Sequence, residues 1–383
     1  MLTASLGYVN HIIHNEAHIQ ITEVIVNGQT AKAINYPVVC GRVSKGDTVL
    51  VNTTAVDLSL GTGGYHYVMG RIGEKDRAAC DRIAGSHSCS AYEEASSKNP
   101  PPASVMKLRY TPAQFACEVE EEQDGPLRNA LHNLKGNELE GVPVLVGELH
   151  SMLPAACLSI RSITEKPVRI CYIMSDGASL PIALSRHVRH LERLGLITGT
   201  ITYGHAFGGG TECVTFYSAL VAAVCIWQAD IIIVAPGPGV VGTGTALGFS
   251  GMEQVSILQA VHHLKGRPIL IPRVSLHEPR DRHYGISHHT STVLRFLSDI
   301  PLHTVLEKNP VLMNQWAERA PSHRHMLTIY PELDENIWTR AASSYPEAIT
   351  TMGRNYKKDP LFFRHVYYAS ALACDLLGIT GNL

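Results

Sequence analysis

The residues able to do chemistry in this chain stand in short polar clusters, each placed after an apolar run. Gly204-His205-Ala206-Phe207-Gly208-Gly209-Gly210 sets an imidazole beside consecutive glycines, and imidazole serves as acid, base or ligand near neutral pH. Ser175-Asp176-Gly177 brings a carboxylate, which makes Asp176 and His205 the candidate pair for proton transfer. Between Arg273 and Thr290 the chain is rich in Arg, His and acid, and Arg280 and Arg282 are candidate clamps for a carboxylate or phosphate, because a guanidinium donates in a planar fork. His288 and His289 belong to the same candidate binding set. With His283 they suggest a metal, but H-x-x-x-x-H-H is no recognised zinc spacing, and neighbouring helical residues point about 100° apart. The spacing therefore assigns no metal, and no cofactor is named.

The most concentrated signal is the glycine-rich stretch from Ala235 to Gly251, directly after Ile231-Ile232-Ile233-Val234. Glycine lets main-chain N–H groups crowd around one point, so Gly237, Gly239, Gly242 and Gly244, with Gly208 and Gly209, are candidate ligand-binding positions. Gly237, Gly239 and Gly242 match the G-x-G-x-x-G dinucleotide spacing. Pro238 interrupts that spacing, the next helix starts only near Gly251, and no acid lies about twenty positions further on to hold a ribose. No Gly-Lys-Ser/Thr ending makes a P-loop. Ser250-Gly251-Met252-Glu253 has the pattern of a capping box, and a helix N-terminus there favours an anion. The stretch thus argues for a small anionic or nucleotide-like ligand. The competing reading is a tight crossover or subunit contact.

The elements that position these clusters follow from periodicity. Short alternating runs at His18–Val26, Tyr36–Val43, Thr48–Thr54 and Tyr65–Met69, separated by Gly and Asn turns, predict a small β-barrel-like unit over residues 1–110. Ser96-Ser97-Lys98-Asn99-Pro100-Pro101-Pro102 predicts an exposed link, and Gly61-Thr62-Gly63-Gly64 a wide hairpin turn. Over residues 111–383 apolar strands alternate with helices: strands near 142–147, 168–174, 200–203, 231–235 and 268–274, and helices over 126–135, 153–160, up to about 194, 211–227 and 251–264. That pattern is the α/β class, a Rossmann-like, doubly wound, mainly parallel sheet. A helical extension over 362–377 ends it. Ligands in such sheets bind beyond the carboxyl ends of the strands, so residues 148–151, 175–177, 204–210, 235–251 and 273–290 are expected at one edge.

Composition removes other classes. The 383 residues carry 32 Lys and Arg against 34 Asp and Glu, so no global field draws the chain to nucleic acid or anionic membrane. Nine cysteines without a C-x-x-C pair read as reduced cytosolic thiols, and the first residues show no secretory pattern. Ala219–Trp227 is apolar but is followed by Gln228 and Asp230, so a buried helix explains it better than a membrane span. Hydrolase signatures such as Gly-x-Ser-x-Gly and His-Glu-x-x-His are absent.

Several motifs together resemble a bacterial family called domain of unknown function 3866. They are Asn52-Thr53-Thr54-Ala55-Val56-Asp57-Leu58 with Gly61-Thr62-Gly63-Gly64-Tyr65-His66, Met106-Lys107-Leu108-Arg109-Tyr110-Thr111-Pro112, His150-Ser151-Met152-Leu153-Pro154, Gly204-His205-Ala206-Phe207-Gly208-Gly209, the Gly242–Gly251 run, and Gly285-Ile286-Ser287-His288-His289-Thr290. The resemblance spans about residues 2 to 300. It implies one shared architecture and a bacterial cytoplasmic setting, but no catalytic residue, because the family has no assigned activity. The residues themselves favour a small-ligand protein with acid–base or phosphate-handling chemistry. The alternative is a non-catalytic regulatory or assembly protein whose barrel binds a partner; a homo-oligomer is compatible with either reading.

Overall fold

The computed structural model describes residues 2–60, 63–73, 104–319 and 324–380. The proline-rich link and the first two residues of the Gly61–Gly64 turn lie outside the described residues. The chain divides into two compact units, Met1–Val119 and Glu120–Leu383.

In the smaller unit β1 (Ala4–Asn15), β2 (Gln20–Val26), β3 (Gln29–Asn35), β4 (Thr48–Asn52) and β5 (Tyr65–Ile72) close a barrel in the order β1-β2-β3-β5-β4. All neighbours are antiparallel except β3 and β5. Alternation turns Val9, Val24, Ala33, Val49, Val51 and Val68 into the barrel core. Asn27 and Gly28, at φ 50° and 77°, make the tight β2–β3 turn that the Asn-Gly pair announces. Two expectations change. Tyr36–Val43 is not a strand, because Pro37 cannot donate to a ladder and opens the helical turn α1 (Pro37–Cys40). Strand β1 was hidden because Leu6 and Tyr8 face outward while Gly7 and Val9 face in, so apolar residues on both faces blur the period of two. After α2 (Thr54–Asp57), the hairpin of β6 (Val105–Lys107) and β7 (Phe115–Cys117) belongs to this unit as well. Asn52 Nδ2 ties it down by donating to the carbonyls of Pro112 (3.0 Å) and Gln114 (2.7 Å). The division therefore falls after Val119 and not after residue 110.

The larger unit begins with α3 (Pro126–His132) and is built on eight parallel strands: β8 (Pro143–Val146), β9 (Ile170–Ser175), β10 (Gly199–Tyr203), β11 (Thr211–Cys213), β12 (Ile231–Pro236), β13 (Arg267–Leu270), β16 (His303–Glu307) and β17 (Met326–Tyr330). Their order is β11-β10-β9-β12-β8-β13-β16-β17, with a separate pair of β14 (Val274–Ser275) and β15 (Gly285–Ile286). The central strands β8, β9 and β12 are buried on both faces, as their continuous apolar runs require. Strands β8 and β9 lead into α4 (Met152–Ile163) and α5 (Arg186–Arg193), which pack on the face formed by Leu145, Tyr172 and Ile233. On the opposite face, against Val144, Cys171 and Ile232, lie α6 (Phe216–Cys225), α7 (Glu253–His263) and α8 (His288–Phe296). Neighbouring strands thus send their connections to opposite faces at β9/β12, β12/β8 and β8/β13, and a crevice opens at such switch points.

Helix α6 starts at Phe216, later than expected, because Thr211–Cys213 joins the sheet and Thr215 with Ser218 forms a capping box. The chain adds α9 (Pro310–Arg319) and α10 (Glu335–Ala342). Its last helix, α11 (Pro360–Leu376), is not an extension: Leu361 to Cys374 is buried without interruption against α4 and the sheet. The seven described cysteines are free thiols. No described helix is long and apolar enough to cross a membrane.

Candidate functional site

All five polar segments do follow the carboxyl ends of parallel strands, but they form two clusters. The first sits beyond β8 and β13, where a cavity of about 170 Å³ is lined by Arg273, Arg280, Arg282, His283 and His289, with Gly242 and Gly244 of the glycine-rich loop. Most of its charges are paired. Glu278 accepts from Arg280 (2.6 Å) and Arg354 (3.0 Å) and lies 3.9 Å from Arg273, while Arg354 also binds Asp359 (3.0 Å). The Arg280 hydrogen bond, with Arg354 beside it, outweighs burial and lowers the Glu278 carboxyl to about 2. Arg282 is exposed and makes no ion pair among the described residues. Among the described residues it is the unneutralised cation of the cavity.

Glu148, two residues past the end of β8, organises the inner wall. Its Oε1 accepts from Arg273 Nη1 (2.9 Å) and from His289 Nδ1 (2.5 Å). Burial would raise this carboxyl, but the His289 hydrogen bond and the Arg273 charge prevail and hold it below the usual carboxylate range. The His289 ring stacks on Phe249, centroids 3.7 Å apart and planes 3° from parallel. Gly251 permits that packing, since a Cβ there would lie 2.9 Å from Glu148 Cγ and 3.1 Å from the Phe249 ring. His283 and His288 close the group, with ring centroids 4.3 to 4.9 Å apart among the three histidines. His288 and His289 are the first two residues of α8, and their rings still lie within reach of each other and of His283, which ends the preceding 3-10 turn. Burial, with Arg273 nearby, lowers His283 to about 3, and burial with His289 lowers His288, so both rings are neutral at ordinary pH. Nε2 of His288 and of His289 is buried without a hydrogen-bond partner among the described residues.

The second cluster, beyond β9 and β10, is committed to holding its own loops. Asp176 Oδ1 accepts from the backbone N–H of His205 (2.8 Å) and Ala206 (2.7 Å), bracing the turn in which Gly204 adopts φ 62°. The carboxylate meets the His205 main chain there. The Gly208 and Gly209 amides are taken by Glu212 and by Thr202 Oγ1, so they form no open nest. Ser175 Oγ donates to Glu253 Oε1 (2.5 Å), and burial raises the Glu253 carboxyl.

Along the glycine-rich loop, Gly237 faces Met174 and Leu180, which is packing, and Gly239 at φ 110° borders open space. Gly242 lies beside His289, and Gly244, at φ 83°, beside the Arg282 guanidinium. Ser250 does not cap a helix. Its Oγ accepts from Val241 N, its N–H donates to Val241 O, and α7 starts at Glu253 after a short 3-10 turn. Sequence reasoning placed Arg280, Arg282, His288 and His289 together correctly in space but singled out neither Glu148 nor Phe249. Arg354 and Asp359 carry no local signal at all, since they reach the site from the far C-terminal loop.

A family model described as protein of unknown function (DUF3866) matches residues 32–370. The chain belongs to the DUF3866 family. That match runs from within β3 through β4 and β5 of the barrel and over the whole parallel sheet, so the cavity of the DUF3866 protein lies inside the family-defining region. No curated protein matches the chain.

Proposed function

We propose that the DUF3866 protein binds a small anion, or the anionic group of a larger ligand, in the cavity at the carboxyl edge of β8 and β13. The observation that carries this reading is Arg282, a guanidinium without an ion pair among the described residues, beside the φ-positive Gly244 at a cavity whose other cations are already neutralised. At about 170 Å³ the space is below the usual range for a whole drug-sized molecule, roughly 300–1,000 Å³. It suits a phosphoryl or carboxylate group with a few waters, each water taking about 30 Å³. An entire nucleotide would extend into solvent. The proton-transfer role for Asp176 with His205 gains no support, since Asp176 braces the turn.

The test is calorimetric titration of metal-stripped full-length protein with inorganic phosphate and pyrophosphate. Saturable binding is expected, weakened by about ten- to a hundredfold in Arg282→Ala, the usual worth of a charged hydrogen bond. Because Arg282 is exposed and holds no ion pair among the described residues, the variant should fold normally. Absent binding, or binding indifferent to Arg282, overturns the reading.

A further inference from the structure

We propose that His283, His288 and His289 form a site for one divalent transition metal ion of the zinc class, with its open coordination position turned to the arginine-lined cavity. One ligand nitrogen from each ring lies within 4.8 Å of the other two. Imidazole nitrogens sit about 2.0–2.1 Å from zinc, which sets them roughly 3.4 Å apart in a tetrahedron. The site is therefore slightly open, and His288 is the least buried of the three residues.

The supporting partners are those that orient metal-bound histidines. His289 donates through Nδ1 to Glu148 Oε1 (2.5 Å), which fixes its tautomer and leaves the Nε2 lone pair free. His283 Nδ1 is engaged by Ser287 Oγ at 2.8 Å. Phe249 stacked on His289 prevents that ring from turning away. Three histidines merely packed as aromatic filler would not require two adjacent Nε2 atoms to be buried without partners, and an orphaned buried nitrogen is costly. Three protein nitrogens with an open position is the donor set of zinc sites that keep a water or substrate as fourth ligand. Local charge agrees: Arg273 is neutralised by Glu148, while Arg282 together with a dication calls for an anionic fourth ligand. The metal inference goes beyond the anion reading and is tested without an anion.

The full chain is stripped with EDTA and titrated with Zn²⁺ by calorimetry and with Co²⁺ by visible absorption. One ion per chain is expected, with the intense absorption of low-coordinate cobalt. His288→Gln and His289→Gln should weaken affinity by about a hundredfold or more, and Glu148→Gln by about ten- to a hundredfold, the usual effect of losing an outer partner. His263→Gln, an exposed residue on α7, serves as control and should bind as wild type. If His289→Gln fails to fold by circular dichroism, the half-buried His288→Gln decides. No stoichiometric uptake by the wild-type chain, or equal affinity in His288→Gln, overturns the proposal. Zinc uptake without phosphate binding to the stripped protein would sink only the anion reading, and the converse only this one.

Discussion

Glu278 offers the sharpest test of the cavity's electrostatics. Its carboxyl falls from an ordinary 4.5 to about 2 because Arg280 and Arg354 both donate to it. At about 1.4 kcal/mol per tenfold change in proton affinity, the drop is worth roughly 3 kcal/mol at most. Arg280 is part-exposed and the cavity admits water, so screening reduces the expected figure to about 1–2 kcal/mol. Since the folded value is depressed, this stability is present above the ordinary carboxyl range and is lost as pH falls towards about 2. Glu278→Gln keeps the size and one acceptor, and Arg354 retains Asp359, so the fold should survive. Urea unfolding followed by tryptophan fluorescence reports on the larger unit, because Trp227, Trp316 and Trp338 all lie in it. Wild type should exceed the variant by about 1–2 kcal/mol at neutral pH, and the gap should narrow as pH falls below the ordinary carboxyl range towards about 2. A gap that stays constant with pH, or none at neutral pH, would refute the reasoning.

Gly251→Ala should destabilise the larger unit by about 1–3 kcal/mol, because its Cβ would enter the Glu148 and Phe249 contacts; an unchanged urea midpoint would mean that His289 is not held as described. For Glu253 the sign is opposite to that of Glu278. Burial raises its folded value, so its contribution is full below the unfolded carboxyl range and lost as pH rises through the folded value. Glu253→Gln escapes that loss and should gain on wild type as pH rises above the ordinary carboxyl range, measured as the difference in unfolding midpoints, and a pH-independent difference would contradict the assignment. Asp176→Ala leaves the His205 and Ala206 amides without their acceptor and should cost about 1–3 kcal/mol by the same assay, with Asp176→Asn recovering most of it; equal loss in both would show that the carboxylate does more than brace the turn.

Periodicity was a reliable guide where one face or both faces of an element were uniformly buried. The runs before Gly147, Asp176, Gly204 and Gly237 became β8, β9, β10 and β12 within a residue or two of their expected bounds. It failed at β1, where outward apolar residues mask alternation, and at Ser250, where a capping-box pattern was used instead to pin a loop. The histidines show the same limit from the other side. Their spacing matches no familiar metal motif, because one comes from a loop and two from a helix start, and only the turn through Gly285, at φ 72°, brings them together.

The sequence by itself determined that there would be a parallel sheet and that five polar segments would meet its carboxyl edge, since strand burial and strand direction are local consequences of apolar runs joined by helices. Tertiary structure alone decided which side chains would share a cavity. Strand order sets β8 beside β13, so Glu148 reaches Arg273 across 125 positions and His289 across 141. Arg354 closes on Glu278 from 76 positions away. No local period encodes such pairings, because they depend on how the connections cross the sheet.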